Sequence, residues 1–275
     1  MTQTIEQLLQ FPNREKRMPT LFIGHGSPMN AIENNEFSSY WQKLGQQLDI
    51  PAAILVVSAH WLTHGTFVTA MNQPETIHDF GGFPQALFDV NYPAPGSLAL
   101  AKETIEIIES TTVHEDLEWG LDHGTWSILC HMFPEAQIPV VQLSIDYNQS
   151  GNFHYTIGKQ LQELRNKGVL IIGSGNMVHN LRALDWKNMQ TDNYGFDWAI
   201  ESNEIFKKDI LSFNHQALQQ YESLGNAVQL AIPTPDHYYP LLYTLGSTLP
   251  TDNITLFNDK YVGGSLSMTS FVFGD

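Results

Sequence analysis

The chain has 275 residues, 42% of them hydrophobic and 15% charged, a composition that supplies a sizeable core and excludes a disordered polypeptide. Its formal net charge of -16, from 29 Asp+Glu against 13 Lys+Arg, argues against nucleic acid and against an anionic membrane surface as partners. One cysteine, Cys130, excludes an intrachain disulfide and a cysteine-based zinc site, and a cytoplasmic location is expected: Met1–Arg17 has no apolar signal core and no run reaches the roughly 20 apolar residues of a membrane span.

In chain order, residues 1–17 read as an N-terminal extension. Thr20–Gly24 (TLFIG) is an apolar run ending in a glycine and predicts a buried strand. Glu36–Leu48 predicts a helix, Ala52–His60 (AAILVVSAH) a second buried strand and Leu98–Ile108 a second helix. Ile138–Ile145 (IPVVQLSI) and Val169–Gly173 (VLIIG) repeat the strand pattern. Between them, Phe153–Asn166 places Ile157, Leu161 and Leu164 on one helical face. Tyr194–Leu211 predicts a longer helix, and Ile254–Phe257 and Ser265–Phe273 read as further, antiparallel strands. No repeat or Pro/Gly/Ser linker divides the chain. The alternation predicts a single α/β domain over residues 1–275: three layers, α/β/α, around a largely parallel or mixed sheet.

In such sheets ligands bind beyond the carboxyl ends of the strands. Three strands run into histidines there, in a chain with 11 histidines. His25 lies in Gly24-His25-Gly26-Ser27-Pro28, where flanking glycines leave its ring uncovered and allow close backbone approach. His60 closes Val57-Ser58-Ala59-His60-Trp61. His179 follows the Gly-rich turn Gly173-Ser174-Gly175-Asn176. Two further segments are Leu121-Asp122-His123-Gly124-Thr125-Trp126 and Pro233-Thr234-Pro235-Asp236-His237-Tyr238, the latter stiffened by prolines and followed by a helix. A lone histidine in a turn is more often a hydrogen-bonded structural residue than a ligand. Joint placement after strands that could be sheet neighbours, so that the side chains could converge, raises His25, His60 and His179 above that expectation. His114, His131, His154 and His215 lack such placement and read as structural, whereas His64 and His78 stay open. Cys130 sits in an apolar helical stretch and reads as core. No P-loop, Gly-x-Ser-x-Gly elbow or Gly-x-Gly-x-x-Gly fingerprint is present.

The ordered motifs resemble one family. They are Gly24-His25-Gly26-Ser27-Pro28-Met29, Ser58-Ala59-His60-Trp61 and Thr76-Ile77-His78-Asp79-Phe80-Gly81-Gly82-Phe83-Pro84, then Tyr92-Pro93-Ala94-Pro95-Gly96 and Asp122-His123-Gly124-Thr125-Trp126. Val141-Gln142-Leu143-Ser144, Gly173-Ser174-Gly175-Asn176, His179-Asn180-Leu181 and Thr234-Pro235-Asp236-His237-Tyr238 complete the set. From about Met18 to about Met268 this resembles the class III extradiol ring-cleaving dioxygenases (protocatechuate 4,5-dioxygenase B-subunit-like), and within them the 4,5-DOPA extradiol dioxygenases. The resemblance implies that His25 and His60 ligate a metal, and that His179 acts as general base beside it or also as a ligand. It implies that His123 hydrogen-bonds oxygen or substrate, and that His237 stands where the wider class offers a carboxylate, with Asp236 as the alternative ligand. Fe(II) is the ion expected for ring cleavage, and zinc suits an all-imidazole set as the ion found bound. The implied partners are a small catechol and O2, with the protein a monomer. Trp61, His78, Phe80 and Phe83 are expected to wall the pocket. A zinc-dependent hydrolase, or a metal- or phenol-binding protein without turnover, would use the same histidines.

Overall fold

The computed structural model describes residues 13–275. Among these residues, in chain order, lie β1 (Thr20–Gly24), α1 (Glu36–Gln47), β2 (Ala53–Thr63), β3 (Thr66–Thr69), α2 (Gln85–Phe88), α3 (Leu98–Ile107), β4 (Val113–Asp116), α4 (His123–Met132), β5 (Val140–Asp146), α5 (Gly151–Asn166) and β6 (Val169–Gly175). They continue with α6 (Asp197–Leu211), α7 (His215–Gln219), α8 (Asn226–Ala231), α9 (Tyr239–Gly246), β7 (Ile254–Phe257), β8 (Tyr261–Val262), β9 (Leu266–Ser267) and β10 (Ser270–Phe273). The first 12 residues of the expected extension lie outside the described residues. The last five are tied to the body, where Arg17 Nε donates to Asn166 Oδ1 at 2.8 Å and Arg14 Nη1 donates to the Ile50 carbonyl at 3.0 Å.

Consecutive side chains of a strand point to opposite faces, so a strand covered on both sides is apolar throughout. β2 shows this directly: Ala53, Leu55 and Val57 enter one core and Ile54 and Val56 the other. The first core is closed by α3, α5, α6 and α9, and the second by α1 and α4 with Trp41 and Trp126 at its centre. The expected three-layer α/β/α domain is thus observed.

Eight strands form one sheet in the order β4-β3-β5-β2-β6-β1-β10-β7. β5, β2, β6 and β1 run parallel; β10 is antiparallel to β1, β7 to β10, and β3 to β5. The sheet is therefore mixed, with a parallel centre. β2, β6 and β1 are direct neighbours, so the histidines that follow them emerge on one edge of the sheet.

Two boundaries differ from expectation. β2 continues three residues past His60, and its pairing with β5 shifts register between Val57 and Leu62. His60 therefore lies inside an irregular stretch of strand instead of closing it. α6 begins at Asp197, not Tyr194, because Phe196 N donates to the Gly264 carbonyl at 2.8 Å and holds Tyr194–Phe196 extended against the C-terminal segment.

One buried cation fastens the layers together. Arg165 of α5 is 1% exposed and spans Asp252 with two bonds of 2.6 and 3.0 Å. It also donates to the carbonyls of Met18, Ser247 and Phe273 at 2.8, 2.7 and 3.2 Å. A charge so far from water is tolerated only when paired and hydrogen-bonded in this way. No helix among the described residues is long and apolar enough to cross a membrane.

Candidate metal centre

Close backbone packing creates the site. His25 follows β1 directly, and its N–H donates to the Gly175 carbonyl of β6 at 3.1 Å. Asn176 N donates in turn to the His237 carbonyl at 2.9 Å, so the turn before α9 lies against the end of β6. Gly173 and Gly175 make this possible: a Cβ on either would overlap the carbonyl oxygen of Pro240 or of His237. Gly24 is needed for the same reason, since its Cβ would stand 2.8 Å from the Met268 backbone. His123 is the first residue of α4, whose N-cap Asp122 accepts from Thr125 N at 3.2 Å.

The five histidines singled out from the sequence converge. Ring centroids are 5.0 Å apart for His25 and His60, 5.0 Å for His60 and His237, and 5.3 Å for His25 and His237. His123 lies 3.8 Å from His60 and 5.6 Å from His25. His179 stacks on His237 at 3.4 Å with an interplanar angle of 7°. His25 Nε2 and His60 Nε2 face each other at 3.0 Å.

The outward nitrogens are anchored, which aims the others inward. His25 Nδ1 lies 3.0 Å from Ser174 Oγ, whose own proton goes to the Gly124 carbonyl at 2.5 Å; the ring must therefore donate from Nδ1 and keep its Nε2 lone pair. His237 Nδ1 is bonded to the Asp236 carboxylate. Asp79 Oδ2 lies 2.8 Å from His123 Nδ1 and 3.5 Å from His60 Nδ1, and its Oδ1 accepts from His123 N at 3.0 Å. Asp122, wholly buried, accepts from Ser58 Oγ at 2.6 Å and Gln142 Nε2 at 2.7 Å.

Burial lowers the imidazoles. His25 and His237 are held well below the ordinary histidine value by desolvation and then by neighbouring imidazoles. Desolvation and His123 bring His60 to about 3 against the opposing pull of Asp79, and burial brings His179 to about 4 against that of Asp236. For Asp79, desolvation acts upward, but the hydrogen bond from His123 and the charges of His123 and His60 outweigh it and leave the carboxyl below its usual value. Burial and then Asp79 raise Asp122. Neutral imidazoles with inward lone pairs are what a divalent ion requires.

A tetrahedral ion about 2.0 Å from three imidazole nitrogens would place their ring centroids about 5 Å apart. The near-equilateral triangle of His25, His60 and His237 meets this condition. Two sets of side chains have donor atoms within 4.8 Å of one another: His25, His60 and His123, and His179, Asp236 and His237. His123 is thus nearer the centre than a purely outer role implies, but its unequal spacings of 3.8 and 5.6 Å close a less regular triangle. His179 and His237 have nearly parallel planes, and a bound ion lies close to the plane of each imidazole that holds it. Both rings nevertheless belong, with Asp236, to the second of these sets.

The flanking glycines do not leave His25 uncovered: the residue is 1% exposed, its ring set against Ser174 and the other imidazoles and its carbonyl accepting from Asn30 Nδ2 at 2.9 Å. Phe80 reaches the cluster, with its ring 5.5 Å from His123 and 5.3 Å from Phe83. Trp61 is buried and stacked on Trp119 at 5.6 Å, a packing role. His78 Nε2 bonds the Val90 carbonyl and His64 Nδ1 bonds Asn148. His131, His154 and His215 bond Asn30, Tyr243 and Tyr155. Cys130 is half-buried, with its thiol directed at the Ser127 carbonyl and pushed up to about 12 by burial.

Sequence reasoning gave no role to Asp79, Ser174 or the Ser58–Asp122–Gln142 network. The available signal was their adjacency to the histidine motifs. Asp79 directly follows His78 within the Thr76–Pro84 segment.

Residues 19–240 match the family described as the catalytic LigB subunit of aromatic ring-opening dioxygenase. A 4,5-DOPA dioxygenase extradiol of Escherichia coli (strain K12) is 48% identical over 94% of this chain and 95% of its own length. One from Beta vulgaris is 35% identical over 92% of this chain and 96% of its own. A crystal structure of an Escherichia coli K12 protein, 43% identical, superposes with a TM-score of 0.81 over 94% of this chain and 100% of that one.

Proposed function

This chain belongs to the LigB family of aromatic ring-opening dioxygenases, and we propose that it cleaves a DOPA-like catechol at one divalent ion held by His25, His60 and His237. Its reaction is extradiol cleavage: both atoms of O2 enter the product, which from L-DOPA is the muconic semialdehyde 4,5-seco-DOPA. The observation that carries the residue assignment is the triangle of imidazoles with separations of 5.0, 5.0 and 5.3 Å, with His179 stacked on one corner.

Bound there, the ion supplies Lewis acidity toward the catechol oxygens and, as Fe(II), the redox capacity that zinc lacks. His179 is the base. Its ring nitrogens make no hydrogen bond among the described residues, which leaves a lone pair to take a phenolic proton. His123, oriented through Nδ1 by Asp79, directs Nε2 into the site to hold oxygen or substrate by a hydrogen bond. Phe80 and Phe83 offer aromatic faces to a flat ring. Asp236 orients His237 through a bond from its ring to one carboxylate oxygen.

The three neutral nitrogen donors also suit zinc, which competes for the site without supporting ring cleavage. Residues 13–275 form one catalytic domain, and the enzyme is a cytoplasmic monomer whose single, half-buried cysteine suits a reducing compartment.

The test is oxygen uptake with L-DOPA by metal-free protein reconstituted anaerobically with Fe(II) or with zinc. Catechol-dependent uptake with Fe(II) alone, with a yellow ring-opened product, is expected. No uptake with Fe(II) across several catechols overturns the proposal and directs attention to zinc-dependent hydrolysis.

A further inference from the structure

A cavity of about 400 Å³, within the roughly 300–1,000 Å³ of small-molecule sites, is lined by backbone neighbours of two cluster histidines, though by none of the five imidazoles. At its inner end are Gly26, Leu266 and Met268. Gly26 follows His25, and Leu266 forms an isolated antiparallel bridge with His179. At its other end stands Lys260, whose carbonyl accepts from Met268 N at 2.8 Å. The β8–β9 hairpin thus links the proposed base to Lys260 through paired backbone.

The charges at this end alternate. Lys260 Nζ lies 2.9 Å from Glu36 at the start of α1 and 2.8 Å from Asp192 in the loop before α6. Glu33 also lines the cavity, so three carboxylates and one cation share it. Burial falls from Met268, 1% exposed, to the Glu36 and Asp192 side chains, 52% and 77% exposed. Exposed ion pairs of this kind are weak and open readily.

We propose that this cavity is the subsite for the α-amino acid headgroup of the catechol substrate, with Lys260 the partner of its carboxylate and Glu36 and Asp192 the partners of its ammonium. The proposal rests on the ring-cleaving function just assigned and adds the residues that select the substrate. A zwitterion exchanges into the existing pairs and adds no net charge. A substrate with only a carboxylate meets three acidic groups, and one with only an ammonium competes with Lys260 for them. The reacting ring then lies toward His179, and the headgroup lies across the hairpin.

The experiment compares L-DOPA, dopamine, 3-(3,4-dihydroxyphenyl)propionate and 4-methylcatechol as substrates of the Fe(II)-loaded enzyme and its Lys260→Met and Lys260→Arg variants. Binding of the same four compounds to the zinc-loaded proteins is measured by calorimetry. For the wild type, L-DOPA is expected to exceed each of the other three in kcat/KM. Lys260→Met is expected to lower the L-DOPA to 4-methylcatechol ratio about tenfold, mainly through KM, with the same ratio lost in binding and restored in part by Lys260→Arg. A wild type that favours dopamine or the propionate over L-DOPA overturns the subsite, as does an unchanged ratio in Lys260→Met. Absence of oxygen uptake with all four compounds overturns ring cleavage instead, and the calorimetric ratio then decides the subsite alone.

Discussion

Asp79 holds His123 by two bonds, from ring and backbone, and lies 3.5 Å from His60 on its other side, so one carboxylate orients two imidazoles of the cluster. Asp79→Asn keeps the shape but replaces an acceptor-only group by one that also donates, which disturbs the tautomers of both rings. Loss of such a partner typically costs about 10- to 100-fold in metal affinity or activity. The expected result is a drop of that order in kcat with the fold intact by circular dichroism. Unchanged kcat and metal content would show that the cluster orients itself without this carboxylate.

The proposed ligands and the proposed base separate by metal content. His25→Ala, His60→Ala and His237→Ala are expected to lose the ion on dialysis. His179→Ala and His123→Ala are expected to retain it and lose turnover. Elemental analysis beside oxygen uptake makes the comparison. Metal loss in His179→Ala would make that residue a ligand, and full turnover in His123→Ala would remove it from the mechanism.

Gly175→Ala tests how the turn carrying His237 is placed. The new methyl group overlaps the His237 carbonyl oxygen, which has no flexible side chain to yield. Overpacking of this kind costs about 1–3 kcal/mol. Lower stability in urea is expected, together with weaker metal binding, because His237 moves with the turn. A stable variant with full metal content would show that the turn relaxes independently of the site.

The pH dependence of stability has a defined sign. His154 is fully buried beside Tyr243, and desolvation lowers its ring to about 4, opposed by Asp146 and by the backbone carbonyl of Gln149. An unfolded histidine titrates near 6.5, so between about pH 6.5 and pH 4 the unfolded chain binds a proton that the fold refuses. Stability from this group is complete above that window and falls as pH drops through it, by up to about 3 kcal/mol. Urea denaturation of metal-free protein across the window is expected to show the decline, and His154→Gln a shallower one. Equal slopes would locate the acid sensitivity elsewhere.

The elements and most of the site's membership are legible in the residues alone. Short, β-branched apolar runs such as Val169–Ile172 read as strands buried on both faces, and helical spacing put Ile157, Leu161 and Leu164 into the core. Placement beyond β1 and β6 and at the irregular stretch of β2 brings His25, His179 and His60 together once those three strands lie side by side in the sheet. The tertiary structure decided what each histidine can do. Whether His179 stacks on His237 or points at a shared ion depends on how α9 packs against β6, a contact between residues about 60 positions apart whose closeness is set by glycines. The second function of Asp79 and the bond from His25 to Ser174 arise in the same way, from side chains remote in sequence and fixed only once the layers close. Residue type and spacing carry the chemistry available to a site; ring orientation and proton position come from packing that local sequence does not encode.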